Sequence, residues 1–204
     1  MKFFSIDLET TGLDPKVHSI TEFGAAFADI QGKEEIKTFY RWIAPIDYVW
    51  STYCLDLHKN WITTIGARLK ANEIDGTPKI CLNYGQLIHD FQKWMKDDLG
   101  LNILKPDAPQ QYVKYTAAGK NFGSFDLQFL KAAGFPDMWR HRALDPTILY
   151  LKDSDEFLPE LRECKKRAIL DGAAFKSEEV AHSGIEDALD IVELLRHGLR
   201  GERE

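Results

Sequence analysis

The sequence predicts an α/β fold with a mixed central sheet, antiparallel over its first three strands and flanked by helices. Three observations carry this. Apolar, strand-like runs come first, at residues 3–8, 20–30 and 35–43, and Gln31-Gly32-Lys33 between the last two reads as the turn of an antiparallel meander. Helical and strand-like patterns then alternate to the end of the chain. A length of 204 residues suits one domain with a sizeable core, or such a domain carrying one insertion.

In order along the chain, the strand at 3–8 closes at the turn-prone Thr11-Gly12-Leu13-Asp14-Pro15. Residues 20–30 are apolar and small, and residues 35–43 alternate as a strand does. From 44 to 76 the pattern loosens, with Trp50, Tyr53 and Trp61 scattered through it. The expectation is a single domain over 1–204 with an irregular insertion at about 44–80, containing helical pieces. Residues 82–99 return to helical spacing, with Leu87, Ile88, Phe91 and Met95 on one stripe and Asn83 with Gln86 as a capping box. Residues 112–117 read as a strand, and 125–133 as a helix ended by Gly134 and Pro136. Residues 144–151 fit a short strand or the start of a helix. Helices over 156–169 and 184–199 complete the chain.

Composition narrows the class. Hydrophobic residues are 44% and charged residues 28%, ordinary for a globular protein, and no apolar run has the length to span a bilayer. The opening Met1-Lys2-Phe3-Phe4-Ser5-Ile6 meets Asp7 and Glu9 at once, unlike a signal peptide. Three dispersed cysteines, Cys54, Cys81 and Cys164, fit neither a zinc cluster nor a disulfide framework and point to a reducing, cytoplasmic setting. A net charge of -6 argues against nucleic-acid binding through one large basic face, but not against an acidic site neutralised by cations.

The acids are informative one at a time. Asp7 and Glu9 stand two apart in an apolar strand, so they share a face while Ile6 and Leu8 take the other. Two like charges there repel unless a cation joins them, and hard divalent cations favour carboxylate oxygens. Acid-x-acid also occurs on solvated strand edges, so this pair alone leaves both readings open. Asp126 at a helix start equally suits a first-turn acid favoured by the helix dipole. Ser183-Gly184-Ile185-Glu186 reads as a capping box, which places His182 and Asp187 where an apolar staple normally packs. An imidazole and a carboxylate at those positions break the local rule, and such breaks mark function. His18, His58, His89 and His197 lack ligand spacing and are set aside. So are Arg162, Lys165, Lys166 and Arg167, as a solvated helix face, and Asp145, as structural.

Together, Ile6-Asp7-Leu8-Glu9-Thr10-Thr11-Gly12-Leu13, Asn121-Phe122-Gly123-Ser124-Phe125-Asp126-Leu127-Gln128-Phe129-Leu130 and His182-Ser183-Gly184-Ile185-Glu186-Asp187-Ala188 resemble the three motifs of the DEDDh 3′→5′ exonucleases. That family includes proofreading subunits of bacterial replicative polymerases, ribonuclease T and oligoribonuclease, on a ribonuclease H-like fold. The resemblance implies that Asp7, Glu9, Asp126 and Asp187 bind two divalent metal ions, Mg2+ with Mn2+ as a substitute, and that His182 is the general base. It implies contacts to the terminal nucleotide from Thr10, Thr11 and the wedge Leu13, and from Asn121 and Phe122. Of the aromatic residues nearby, Phe122 is the candidate for base stacking, and helix-spaced Phe125 and Phe129 are expected in the core. Ser183 stands where the tyrosine-type sister family has its tyrosine. Two features depart from the family pattern: Lys120 precedes Asn121 in place of histidine, and the Asn121-to-Asp126 spacing is one residue longer than in the proofreading type. The implied reaction is hydrolysis of the 3′ end of single-stranded nucleic acid, DNA favoured, with release of 5′-mononucleotides. RNA ends or short oligoribonucleotides are the alternative substrates, and a non-catalytic nucleic-acid or polymerase-binding module is the alternative class. A polymerase or a second copy of the chain is the protein partner such a relative would have.

Overall fold

Strand β1 (Lys2–Thr10) is buried on both faces and organises the sheet. In this computed structural model, which describes residues 1–44, 48–71, 79–175 and 177–200, it pairs antiparallel with β2 (Ile20–Asp29), and β2 pairs antiparallel with β3 (Lys37–Ile43). The expected meander is therefore present. Parallel strands flank it: β4 (Lys79–Cys81) beside β3 and β7 (Ala117–Ala118) beside β1, giving the order β4-β3-β2-β1-β7. The mixed sheet follows from the chain crossing over through helices on both sides of the meander.

Alternation along β1 sends side chains to two different cores. Phe4, Ile6 and Leu8 join Phe23, Phe39 and the buried stripe Leu87, Phe91, Trp94 and Met95 of α3 (Tyr84–Asp97). Phe3 joins Ala26 and Ala28 of β2 on the opposite face, under Ile191, Val192, Leu194 and Leu195 of α6 (Gly184–Arg200) and Cys164 and Ala168 of α5 (Leu161–Leu170). Each such large buried apolar side chain contributes about 2 kcal/mol. Asp7 and Glu9 have the parity of Phe3, so they lie on the α6 face.

Helix α3 starts as expected: the Asn83 side chain accepts the Gln86 amide, and the Gln86 side chain reaches back to the Leu82 amide. Of the 44–80 segment, residues 45–47 and 72–78 lie outside the described residues. The remainder holds α1 (Thr52–Leu57) and α2 (Lys59–Ala71).

Three element assignments need correction. Residues 112–117 are not one strand. A two-stranded ribbon of β5 (Leu104–Lys105) and β6 (Ala108–Tyr112) ends there, and β7 begins only at Ala117. Between them Tyr115 bridges Trp139 and packs on Phe4, so its apolar character reflects core packing. Residues 144–151 form a 3-10 turn at Pro146–Tyr150 capped by Asp145. Helix α5 begins at Leu161 because Pro159 has no amide to continue a helix from 156. Before the 3-10 turn, α4 (Asp126–Ala132) agrees with the expected helix. No helix among the described residues is long and apolar enough to cross a membrane.

Candidate active site

At the end of β1 a cleft of about 430 Å³ opens, and Asp7, Glu9, Asp126, His182 and Asp187 all line it. Three separate devices bring these residues together. Asp7 and Glu9 arrive on β1, opposite Gly24 and Glu22 of β2. The ladder shifts by one residue between Glu9 and Thr10, which turns the strand away directly after the acids. Asp126 arrives at the first turn of α4. The β1–β7 pairing covers only Phe4 and Ser5, and farther along β1 the Leu8 amide donates to Asp126 Oδ1 at 3.2 Å. That bond ties the second motif to the backbone between the two acids of the first.

Asp187 arrives on α6, whose first turn rests directly on the sheet. A Cβ on Gly24 would lie 2.0 Å from the Gly184 carbonyl oxygen, and one on Gly184 3.0 Å from the Asp7 carbonyl oxygen. Only the paired absence of side chains lets backbone meet backbone here. The start of α6 is held by Glu22, whose carboxylate receives the Gly184 amide at 3.3 Å, and not by a Ser183–Glu186 box. The Tyr40 phenol donates to the same carboxylate. Just before the helix His182 takes a left-handed backbone conformation, φ 52°, and Asp187 Oδ1 accepts the Ala181 amide at 3.2 Å, fixing that bend. The imidazole stays exposed at the rim, above buried Glu9, Asp126 and Asp187.

The electrostatics are those of a cation site. Burial, then the charges of Asp126, Glu9, Asp187 and Glu22, raise the Asp7 carboxyl well above the carboxylate range. Burial first, with Glu22, Asp187 and Asp126 next, pushes Glu9 up to about 8, and burial pushes Asp126 to about 7 and Asp187 to about 6. Two basic residues that line the cleft are already engaged: Lys120 by Glu160, and Arg162 by Glu178 and Glu179. Carboxylate oxygens of Glu9 and Asp187 lie within 4.8 Å of each other, near the span that one hard cation bridges, with a His182 ring nitrogen within the same distance of both. The residues present therefore fit a divalent metal.

These raised carboxyls bind protons more tightly folded than unfolded. Stability is thus lost as pH climbs from about 4, the unfolded value, through 6, 7 and 8, the values at Asp187, Asp126 and Glu9. The metal-free protein is expected to melt lower at about pH 8 than at about pH 5, and millimolar Mg2+ or Mn2+ to restore at least about 5 °C at the higher pH and little at the lower. A melting temperature indifferent to both pH and cation in a thermal scan would remove the charge-repulsion account.

The expected substrate contacts divide. Leu13 is 77% exposed on the turn after β1, as a wedge requires. Thr10 and Thr11 are buried with their hydroxyls closing that turn: Thr10 donates to the Gly12 carbonyl and Thr11 accepts the Ser19 amide. The Thr11 backbone is engaged as well, its amide donating to the Ser19 carbonyl and its carbonyl accepting the Ser51 amide. Asn121 is exposed with φ 58°, its amide bonded to Asp145. Phe122 is a correction: at 1% exposure, with its ring edge-on to Trp139, it belongs to the core and cannot stack on a base, whereas half-buried Phe125 lines the cleft. The solvated helix face needs correction at two of its four residues, since Arg162 and Lys166 are exposed as expected. Lys165 is buried against Asp190, and Arg167 is tied to Asp155 and Glu163.

Two site residues escaped the sequence reading. His58, set aside there, is 5% exposed with Nε2 3.4 Å from Glu9 Oε2, and burial, then His182, holds its basicity below the usual imidazole range. The spacing of His58 to buried Trp61 and Ile65 places it on the inward stripe entering α2, a signal that was legible. Glu22 was visible as a lone acid in an apolar strand, and Gly24 as a glycine inside one.

The chain has the ribonuclease H-like fold of DEDDh 3′ exonuclease domains, a mixed sheet with helices on both faces. Among solved structures it superposes on cell-death related nuclease 4 (CRN-4) with a TM-score of 0.61 and 14% identity, over 98% of this chain and 64% of that one. The nuclease domain of 3′hExo, a DEDDh family member bound to rAMP, gives 0.59 and 17%, over 98% and 92%. E. coli exonuclease I with a dT13 oligonucleotide gives 0.58 and 16%, over 96% and 40%. The chain thus spans just under two thirds of the first and two fifths of the third. No family model matches the sequence, and no curated protein sequence does.

Proposed function

We propose that this chain is a metal-dependent 3′→5′ exonuclease that hydrolyses the terminal phosphodiester of single-stranded nucleic acid, DNA favoured, releasing 5′-mononucleotides. The observation that carries this reading is the meeting of four carboxylates and one histidine, from three distant parts of the chain, in one open cleft. So many unpaired acids are costly to hold together without cations to join them. The nucleases of the same fold supply the chemistry such a cleft suits, and they include one bound to rAMP and one bound to dT13. The domain is read as 1–204, with 44–80 as its insertion.

Phosphodiester hydrolysis requires an anion or water to attack an already anionic centre. Asp7, Glu9, Asp126 and Asp187 would hold divalent cations, which would supply that charge for water activation and for the departing oxygen. The rest is the work of the chain. Asp7 feels the charges of Asp126, Glu9, Asp187 and Glu22 and would hold the cations together with Glu9, Asp187 and Asp126, the last fixed by the Leu8 amide. His182, exposed at the rim, accepts the proton of the attacking water, a task imidazole suits near neutral pH. The His58 ring, held neutral by burial, shields Glu9 from solvent. Leu13 and the turn held by Thr10 and Thr11 face the terminal nucleotide.

The deciding assay incubates 5′-labelled single-stranded DNA, the matching RNA and a dinucleotide with Mg2+ or Mn2+, with a chelator as control. Stepwise shortening from the 3′ end that the chelator stops supports the reading, and the rates rank the substrates. Intact labels on all of them, with the strands still bound, favour a binding module instead. In the same assay His182→Ala is expected to lose at least about 10²-fold in kcat while retaining metal binding by calorimetry. Loss of metal affinity in that variant would make the imidazole a ligand instead of the base.

A further inference from the structure

On the far side of the first turn of α4 lies a second, wider groove of about 1080 Å³. Its walls bring together Lys105, Lys114, Lys131, Arg140 and Arg142 against one carboxylate, Asp137. Lys114 spends its charge on Asp137 at 2.5 Å. Lys131, Arg140 and Arg142 are exposed and have no ion-pair partner among the described residues. Three free cations in one concavity are unusual on a chain whose net charge is -6, and the groove exceeds what a small ligand requires.

The groove also adjoins the cleft. Phe125 and Asp126 line the cleft, while Gly123, Leu127 and Gln128, on either side of them in sequence, line the groove. One helical turn is the wall between the two. We propose that the groove seats the phosphate backbone of the nucleic-acid strand whose 3′ end occupies the cleft. This rests on the exonuclease reading for where the strand ends, and it makes strands of many nucleotides, not dinucleotides, the preferred substrate. Unpaired lysine and arginine side chains lining a path hold phosphates without regard to base.

The test is the triple variant K131A/R140A/R142A, which leaves every cleft residue in place. A fluorescent single-stranded 20-mer, read by anisotropy with Ca2+ as the cation, reports binding, and hydrolysis of the 20-mer and of a dinucleotide reports use. The variant is expected to bind the 20-mer about tenfold or more weakly at low salt. Its slope of log affinity against log salt should be shallower by about 2, since each phosphate left without its cation removes about 0.7. Dinucleotide turnover and melting temperature are expected to stay at wild-type values. Wild-type affinity and salt slope in the variant overturn the proposal, and so does an equal loss on both substrates, which would place the effect in the cleft. If the wild type hydrolyses neither substrate but the variant still loses 20-mer binding, the groove stands and the exonuclease reading falls.

Discussion

Asp7→Asn is expected to abolish hydrolysis, by at least about 10³-fold, while raising the melting temperature of the metal-free protein. The two effects have one cause. Asp7 lies among the charges of Asp126, Glu9, Asp187 and Glu22, and its own charge is opposed first by burial and then by each of them. An isosteric amide removes one of the mutually repelling charges and can donate to the neighbouring carboxylates, so the apo site relaxes. The same change removes a carboxylate that would hold the cations, on which hydrolysis depends under the proposed function. A thermal scan with and without Mg2+, beside the 3′-shortening assay, separates the outcomes. A less active but also less stable variant would indicate ordinary misfolding. Undiminished activity would remove Asp7 from the mechanism altogether.

Gly24→Ala is expected to be the most damaging single-methyl change among the described glycines, costing at least about 3 kcal/mol, or roughly 10 °C in melting temperature. A methyl group there would lie 2.0 Å from the Gly184 carbonyl oxygen and 2.4 Å from the Ile185 nitrogen, both backbone atoms that no rotamer change can move. The first turn of α6 must lift, taking Asp187 away from Asp7 and breaking the Gly184–Glu22 bond. Activity is expected to fall even at temperatures where the variant stays folded, as circular dichroism and the exonuclease assay can establish together. A stable, active Gly24→Ala protein would mean that the close approach of helix and sheet does not position the site.

Much of this arrangement is legible in the sequence because it is local. The meander follows from three apolar runs and a glycine turn, and the α3 cap from Asn83 and Gln86 three residues apart. The acids stand out because carboxylates in an apolar strand, and a polar pair where a staple belongs, each break a short-range rule. What escaped depends on distance in sequence. His58 meets Glu9 across 49 positions, and Glu22 meets Gly184 across 162. No local pattern announces a partner so remote, although the inward spacing of His58, Trp61 and Ile65 did announce burial. Phe122 misled for the opposite reason. Its position in a motif suggested exposure to substrate, but a loop anchored by the Asn121–Asp145 bond turns the ring onto Trp139.

The three thiols acquire a use from where they lie. Cys54 is on α1 within the candidate insertion, Cys81 on the edge strand β4, and Cys164 on α5 behind the site, and all are buried. Burial drives the Cys81 and Cys164 thiols to about 11, so both are protonated as well as shielded at neutral pH. An alkylating reagent can reach them only when their own part of the molecule opens. Mass spectrometry of the labelled sites would therefore follow local opening in three separate regions as cations are withdrawn, without any engineered residue.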